Sequence, residues 1–133
     1  MSFFDVHESA RPGAPTVLLS SGLGGTAGYW APQLAALRER YRVVAYDQAG
    51  TGRNKQDLPG DHSIAAMADE ALAVMDATKT DKAHFVGHAL GGLAGLDLAI
   101  RHPERLHSLT VVNGWAAAHA HTCLLYTSPS PRD

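Results

Sequence analysis

Short apolar runs alternate along the chain with longer segments of helical periodicity, and this alternation constrains the fold more than any other sequence feature. Each run is bounded by glycine or by turn-forming residues, which is typical of buried strands. The predicted strands cover residues 14–22, 41–46, 82–87 and 107–112. Because strands that alternate with helices are joined by right-handed crossovers, the pattern predicts an α/β fold with a doubly wound, mostly parallel sheet.

The segments between the strands have the apolar spacing of amphipathic helices. The first covers residues 29–40, with apolar positions at Trp30, Leu34 and Leu37. Ser63 is placed to cap the second, because its side-chain oxygen can accept a free N–H of the first turn. The predicted buried stripe of that helix is Ile64, Met67, Ala71, Leu72 and Met75. The third runs from about residue 89 to 101 and stops before Pro103.

The third strand and the third helix are joined by Gly87-His88-Ala89-Leu90-Gly91-Gly92. Three glycines in six residues predict a very sharp turn, which would hold the side chain at position 89 above the sheet. The helix that follows points N–H groups and a partial positive charge at the same place. The methyl group of Ala89 has no nucleophilic atom, so the side chain at this turn cannot attack a substrate.

With these segments assembled, residues 5–122 resemble the α/β-hydrolase superfamily, whose Gly-x-Ser-x-Gly elbow stands where Ala89 does here. More narrowly, the chain resembles the RutD-like hydrolases of the bacterial Rut pyrimidine-degradation pathway. The matching segments are Ser21-Gly-Leu-Gly-Gly, Tyr29-Trp-Ala-Pro-Gln-Leu, Tyr46-Asp-Gln, Gly50-Thr-Gly, Val86-Gly-His-Ala-Leu-Gly and Val112-Asn-Gly-Trp. Ala49 departs from the arginine that is common at its position in the superfamily.

The resemblance implies a truncated α/β-hydrolase fold (its N-terminal half) that hydrolyses carbamate or aminoacrylate in uracil degradation, acting on a C–N bond. It implies that the backbone N–H groups of Leu23 and Leu90 form an oxyanion hole. It further implies direct attack by water, with the acid and the histidine of the site following later in the chain and absent from this fragment. The implied partner is a small-molecule substrate, and we expect this fragment alone to be inactive.

Ala89 is also compatible with two alternatives. In the first, the chain is a non-catalytic pseudoenzyme of the same fold that binds a partner or acts as a scaffold. In the second, a sequencing error turned serine into alanine, and the Gly-His-Ala-Leu-Gly match to the Rut family argues against that error.

Composition excludes several functional classes. The net charge is −2, and acidic and basic residues are interspersed, so the sequence predicts no concentrated basic surface. We therefore expect neither nucleic acid nor membrane partners. We expect no cofactor, because Gly22-x-Gly24-Gly25 lacks dinucleotide-loop spacing, and no metal, because His119 and His121 alone are a weak ligand set. One cysteine and no visible secretory signal predict a cytoplasmic protein. The oligomeric state has no sequence signal.

Three polar residues near the predicted site have simpler structural interpretations. We expect Asp47 to brace the turn at Gly50 and Gly52, since aspartate suits such loops. His88 and His84 are interpreted as packed residues rather than as bases.

Residues 123–133 differ in character from the rest of the chain. All eleven match the in-frame translation of a transposase-based sequencing adapter, so we expect this tail not to be native. The predicted hydrolase portion is therefore residues 1–122.

Overall fold

The computed structural model describes residues 3–22, 25–55 and 63–114, and within them five strands form a single sheet. The strands are β1 (Phe4–His7), β2 (Thr16–Ser20), β3 (Arg42–Tyr46), β4 (Ala83–His88) and β5 (Leu106–Val112). Their order across the sheet is β1-β3-β2-β4-β5, and β2 to β5 run parallel. The four predicted strands and the mostly parallel sheet are confirmed.

Strand β1 was not predicted. It pairs antiparallel with β3, with Phe4 opposite Tyr46 and His7 opposite Val43. Four residues are too few to show a periodicity of their own, and the strand exists because the edge of β3 offers it a partner. The all-parallel order of the predicted strands is thus extended by one antiparallel edge strand, a common addition to such sheets.

Three α-helices lie within the described residues: α1 (Ala31–Arg38), α2 (Ile64–Ala77) and α3 (Leu90–Arg101). Short 3-10 turns cover Ala27–Trp30 and Pro103–Arg105. The single helix predicted over residues 29–40 is therefore a 3-10 turn followed by a shorter α-helix, with Pro32 in its first turn, where a missing N–H is tolerated. The Ser63 cap is confirmed, because its Oγ accepts the N–H of Ala66 at 3.1 Å.

The helices cover both faces of the sheet, which confirms the doubly wound architecture. Helices α2 and α3 pack on one face, in a core that includes Leu18, Phe85 and Leu98. Trp30 packs on the other face against Val17 and Leu19, with Leu34 and Leu37 of α1 partly buried beside it. Of the predicted α2 stripe, Met67, Ala71 and Met75 are buried and Ile64 and Leu72 partly buried.

The parallel strands all end at the same edge of the sheet, so the segments that follow β2, β3 and β4 meet there. Open α/β sheets bind their ligands at this edge. In the part of the chain that is described, no helix is long and apolar enough to cross a membrane.

Candidate active site

The turn between β4 and α3 has the sharp geometry that its glycines predict. Ala89 adopts φ 54° and ψ −117°, a conformation that strains a residue with a side chain by about 1–3 kcal/mol. Its N–H donates to the carbonyl of Val112 at 2.9 Å, and its own carbonyl accepts the N–H of Gly92 at 2.9 Å. The strained turn is therefore fixed from both sides by backbone hydrogen bonds.

The three glycines of this turn are required by close packing, against backbone for the first two and against a side chain for the third. A Cβ on Gly87 would lie 2.4 Å from the carbonyl oxygen of Gly91, and one on Gly91 would lie 2.4 Å from that of Ser20. A Cβ on Gly92 would lie 2.6 Å from Cγ1 of Val111. Strands β2 and β4 thus meet the first turn of α3 with no side chain between them.

Leu90 occupies the first position of α3, where a helix has no internal acceptor for its N–H. Among the described residues its N–H has no hydrogen-bond partner, whereas the N–H groups of Gly92 and Leu93 donate to the carbonyl of Ala89. The Leu90 side chain is buried, which fixes the backbone beneath it. Within the described part of the chain, an oriented N–H with no partner therefore stands next to Ala89.

The loop after β2 begins directly against this turn. A Cβ built on Gly22 would lie 3.2 Å from Cβ of Ala89 and 3.2 Å from Nδ1 of His88. Leu23, which the resemblance implies as the second oxyanion donor, lies outside the described residues, as do the pair His119 and His121 and the whole of residues 123–133. The structure brings the residue before Leu23 next to Ala89.

Asp47 braces the loop after β3, as its residue type predicted. Its Oδ1 accepts the N–H of Ala27 at 2.8 Å, and its Oδ2 accepts the backbone N–H and the Nε–H of Arg53, each at 2.9 Å. Burial alone would raise the pKa of Asp47, but these hydrogen bonds and the Arg53 charge lower it to about 2. Gly52 passes so close that a Cβ there would lie 2.5 Å from Asp47 Oδ2.

Glu70 holds the other side of the same loop, a contact that no local sequence pattern signals. Its carboxylate accepts the N–H of Ala49 at 3.1 Å and lies 3.5 Å from Nδ2 of Asn54. The pKa of Glu70 is raised overall, because burial raises it by more than these two hydrogen bonds lower it. The two carboxylates therefore fix the loop rather than face the turn at Ala89.

The two histidines of β4 make packing contacts. His88 stacks on the ring of Tyr29 at 5.4 Å and lines an open cavity of about 750 Å³ on the α1 face. His84 lies farther back on the strand, with Nδ1 2.7 Å from Oγ of Ser108. No group of three or more potential metal ligands occurs among the described residues.

Comparison with known proteins identifies the same fold. The family described as "alpha/beta hydrolase fold" matches residues 15–126. Two curated relatives are each named "Putative carbamate hydrolase RutD". The relative from Agrobacterium fabrum is 48% identical over 90% of this chain and 46% of its own length, and that from Caulobacter segnis is 54% identical over 89% and 45%.

Solved structures show the same fold. A hydrolase from Pseudomonas aeruginosa PA01 has a TM-score of 0.82 and 32% identity, over 90% of this chain and 44% of that one. The enol-lactonase from Burkholderia xenovorans LB400 has a TM-score of 0.81 and 30% identity, over 94% and 50%. The chain spans less than half the length of both curated relatives. From the fold, the turn at Ala89 and the family match, the chain belongs to the α/β-hydrolase fold family.

Proposed function

We propose that the complete protein hydrolyses a small, labile product of uracil ring opening, either carbamate or aminoacrylate, without a covalent intermediate. The observation that carries the proposal is the turn at Ala89, whose strained geometry and glycine packing persist around a residue with no nucleophile. The similarity to relatives named as carbamate hydrolases supports the substrate class.

The chemistry of these substrates suits a site without serine. Carbamate and water give ammonia and bicarbonate, so the C–N bond breaks as a C–O bond to water forms. Aminoacrylate and water give ammonia and an aldehyde. Both compounds also decompose unaided, so modest stabilisation of the transition state is enough, and a covalent intermediate is dispensable.

In this proposal the backbone N–H of Leu90 binds the oxygen on which negative charge develops, and that of Leu23 is the second donor. Each preorganised donor of this kind is worth about 3 kcal/mol in the transition state. The water is activated by a histidine that an acid orients. The usual order of nucleophile, acid and histidine in this fold supports the expectation that both follow Ala89. The small methyl of Ala89 leaves room for the water where a serine Oγ would stand.

The experiment uses the complete protein and measures ammonia release from fresh carbamate and from aminoacrylate. A protein-free reaction and a variant that lacks the downstream histidine are run in parallel. We expect acceleration over the protein-free rate and a fall toward that rate in the histidine variant, by up to the factor of about 10² to 10⁴ that general acid–base catalysis contributes. Equal rates with and without protein on both compounds would refute the proposal.

A pseudoenzyme that binds a small molecule without converting it is the second candidate, and Ala89 is the observation that favours it. It predicts saturable binding of the substrate together with protein-free rates of ammonia release. It also predicts that the downstream acid and histidine are missing from the complete gene, whereas the enzyme retains them.

A further inference from the structure

A buried polar cluster, formed by Ser21, Trp30 and Gln48, holds the loop that follows β2. Oγ of Ser21 accepts the Nε1–H of Trp30 at 2.9 Å and donates to the carbonyl of Thr26 at 3.1 Å. The carbonyl of Ser21 accepts an Nε2–H of Gln48. All three residues of the cluster are buried, with 1%, 7% and 6% of their surface exposed, so water does not compete for these bonds.

The cluster lies directly beneath the candidate site. The Ser21 carbonyl faces the first turn of α3, since a Cβ on Gly91 would lie 2.6 Å from its oxygen. The next residue, Gly22, is the one that lies against Ala89. Gly22 is held in turn by the N–H of Gly25, which donates to its carbonyl at 3.0 Å. The orientation of the Ser21 peptide therefore sets how the loop meets the turn at Ala89.

We propose that Gln48, assisted by Trp30, is a positioning residue for the reaction, because it fixes the loop after β2 against Ala89 through Ser21. The inference rests on the proposed function, in which this loop supplies an oxyanion donor. Such a donor acts only when it is held in place before the reaction. When Gln48 is replaced, the buried Ser21 carbonyl loses its hydrogen-bond donor. Because an unsatisfied buried carbonyl is costly, the Ser21 peptide rotates toward another donor, and the loop loses its fixed position.

The test compares Gln48→Met and Trp30→Phe with wild type in the complete protein. Gln48→Met keeps the approximate size of the side chain and removes the N–H donor, whereas Trp30→Phe removes the donor together with one ring of a buried indole. The control is Thr78→Val, which removes another buried polar group: its hydroxyl lies 2.8 Å from the carbonyl of Val74, 2.8 Å from Oγ1 of Thr80 and 3.1 Å from a second carbonyl. Thr78 lies after α2, next to the Arg42 side chain at the start of β3, and so at the opposite edge of the sheet.

Two measurements are made on each protein: hydrogen exchange of the Gly25 amide by NMR, and kcat and KM for ammonia release. We expect Gln48→Met to exchange the Gly25 amide at least about tenfold faster than Thr78→Val does. We also expect its kcat to fall about tenfold with KM unchanged, as for a contact that matters in the transition state. Trp30→Phe changes both values in the same direction and by less.

The outcomes separate this inference from the proposed function. If Gln48→Met leaves Gly25 exchange at the level of Thr78→Val, the positioning role is wrong whatever the activity. If wild type itself shows no turnover, the proposed function fails, and faster Gly25 exchange alone then supports the role of Gln48 in holding the loop. Equal losses of kcat in Gln48→Met and Thr78→Val would show a general effect of stability and overturn the inference.

Discussion

Replacing Gly91 with alanine tests the packing on which the site depends. The new Cβ would lie 2.4 Å from the carbonyl oxygen of Ser20 and 2.6 Å from that of Ser21, and real Cβ atoms essentially never approach closer than 3.0 Å. Both contacts are backbone atoms at the buried end of β2, so neither can rotate away. Alanine favours the helix by about 1 kcal/mol relative to glycine.

Overpacking of a buried contact costs about 1–3 kcal/mol, and two rigid carbonyls place this case near the upper value. The expected net loss in the free energy of unfolding is therefore about 2 kcal/mol. The assay is urea unfolding of the complete protein followed by circular dichroism, with the free energy extrapolated to water. Because the helix start is also pushed away from β2, the proposed activity is expected to fall in the same variant.

Gly28→Ala is the matched control. A Cβ there meets nothing closer than Oγ1 of Thr26 at 3.7 Å, which is ordinary contact. Its stability is expected to be unchanged or up to about 1 kcal/mol higher, through reduced freedom of the unfolded chain. Were Gly91→Ala as stable as Gly28→Ala, the backbone packing described for the turn would be incorrect.

Three further predictions concern strain, acid stability and the exposed sheet edge. Ala89→Gly relieves a strained conformation worth about 1–3 kcal/mol against a flexibility cost of about 0.5–1 kcal/mol, so urea unfolding is expected to show a gain of about 1 kcal/mol. Asp47 has a pKa of about 2 in place of its ordinary 3.8, so its contribution to stability is complete above about pH 5 and is lost as the pH falls through 3.8 toward 2. As the pH falls through this range, the free energy of unfolding of wild type should fall by about 2 kcal/mol more than that of Asp47→Asn. Residues 1–122 produced alone should aggregate in light scattering and release no ammonia, because β5 is a sheet edge with exposed Val112.

Each of these predictions has a contradicting result. A destabilised Ala89→Gly would mean that the turn is not strained. Parallel acid-unfolding curves for wild type and Asp47→Asn would show that the Asp47 carboxylate is not specifically stabilised. A cooperative melt of residues 1–122 with turnover would show that the rest of the chain is not needed.

The elements that the sequence predicted are those whose signal is local. Strand β2 is a continuous apolar run, and the cap at Ser63 and the turn at Ala89 are encoded within a few residues. Strand β1 was missed because the pairing that forms it is with β3, 36 or more residues away along the chain. The helix predicted over residues 29–40 had the correct buried face, but its boundary moved because Ala27–Trp30 forms a separate 3-10 turn.

The supporting contacts of the site were less predictable than its frame. Asp47 was predicted to brace its loop because aspartate next to glycines is a local signal. The bond from Gln48 to Ser21 joins residues 27 apart, and that from Glu70 to Ala49 joins residues 21 apart. Only the fold brings such pairs together, so neither bond has a signature in a single sequence.

The central claim is that the turn at Ala89 serves hydrolysis by water rather than by a covalent nucleophile. Its most direct test is the rate of ammonia release from fresh carbamate by the complete protein, compared with Ala89→Ser and with a protein-free reaction. The claim predicts that wild type exceeds the protein-free rate and that Ala89→Ser is no faster than wild type. Turnover by Ala89→Ser alone, with wild type at the protein-free rate, would contradict it.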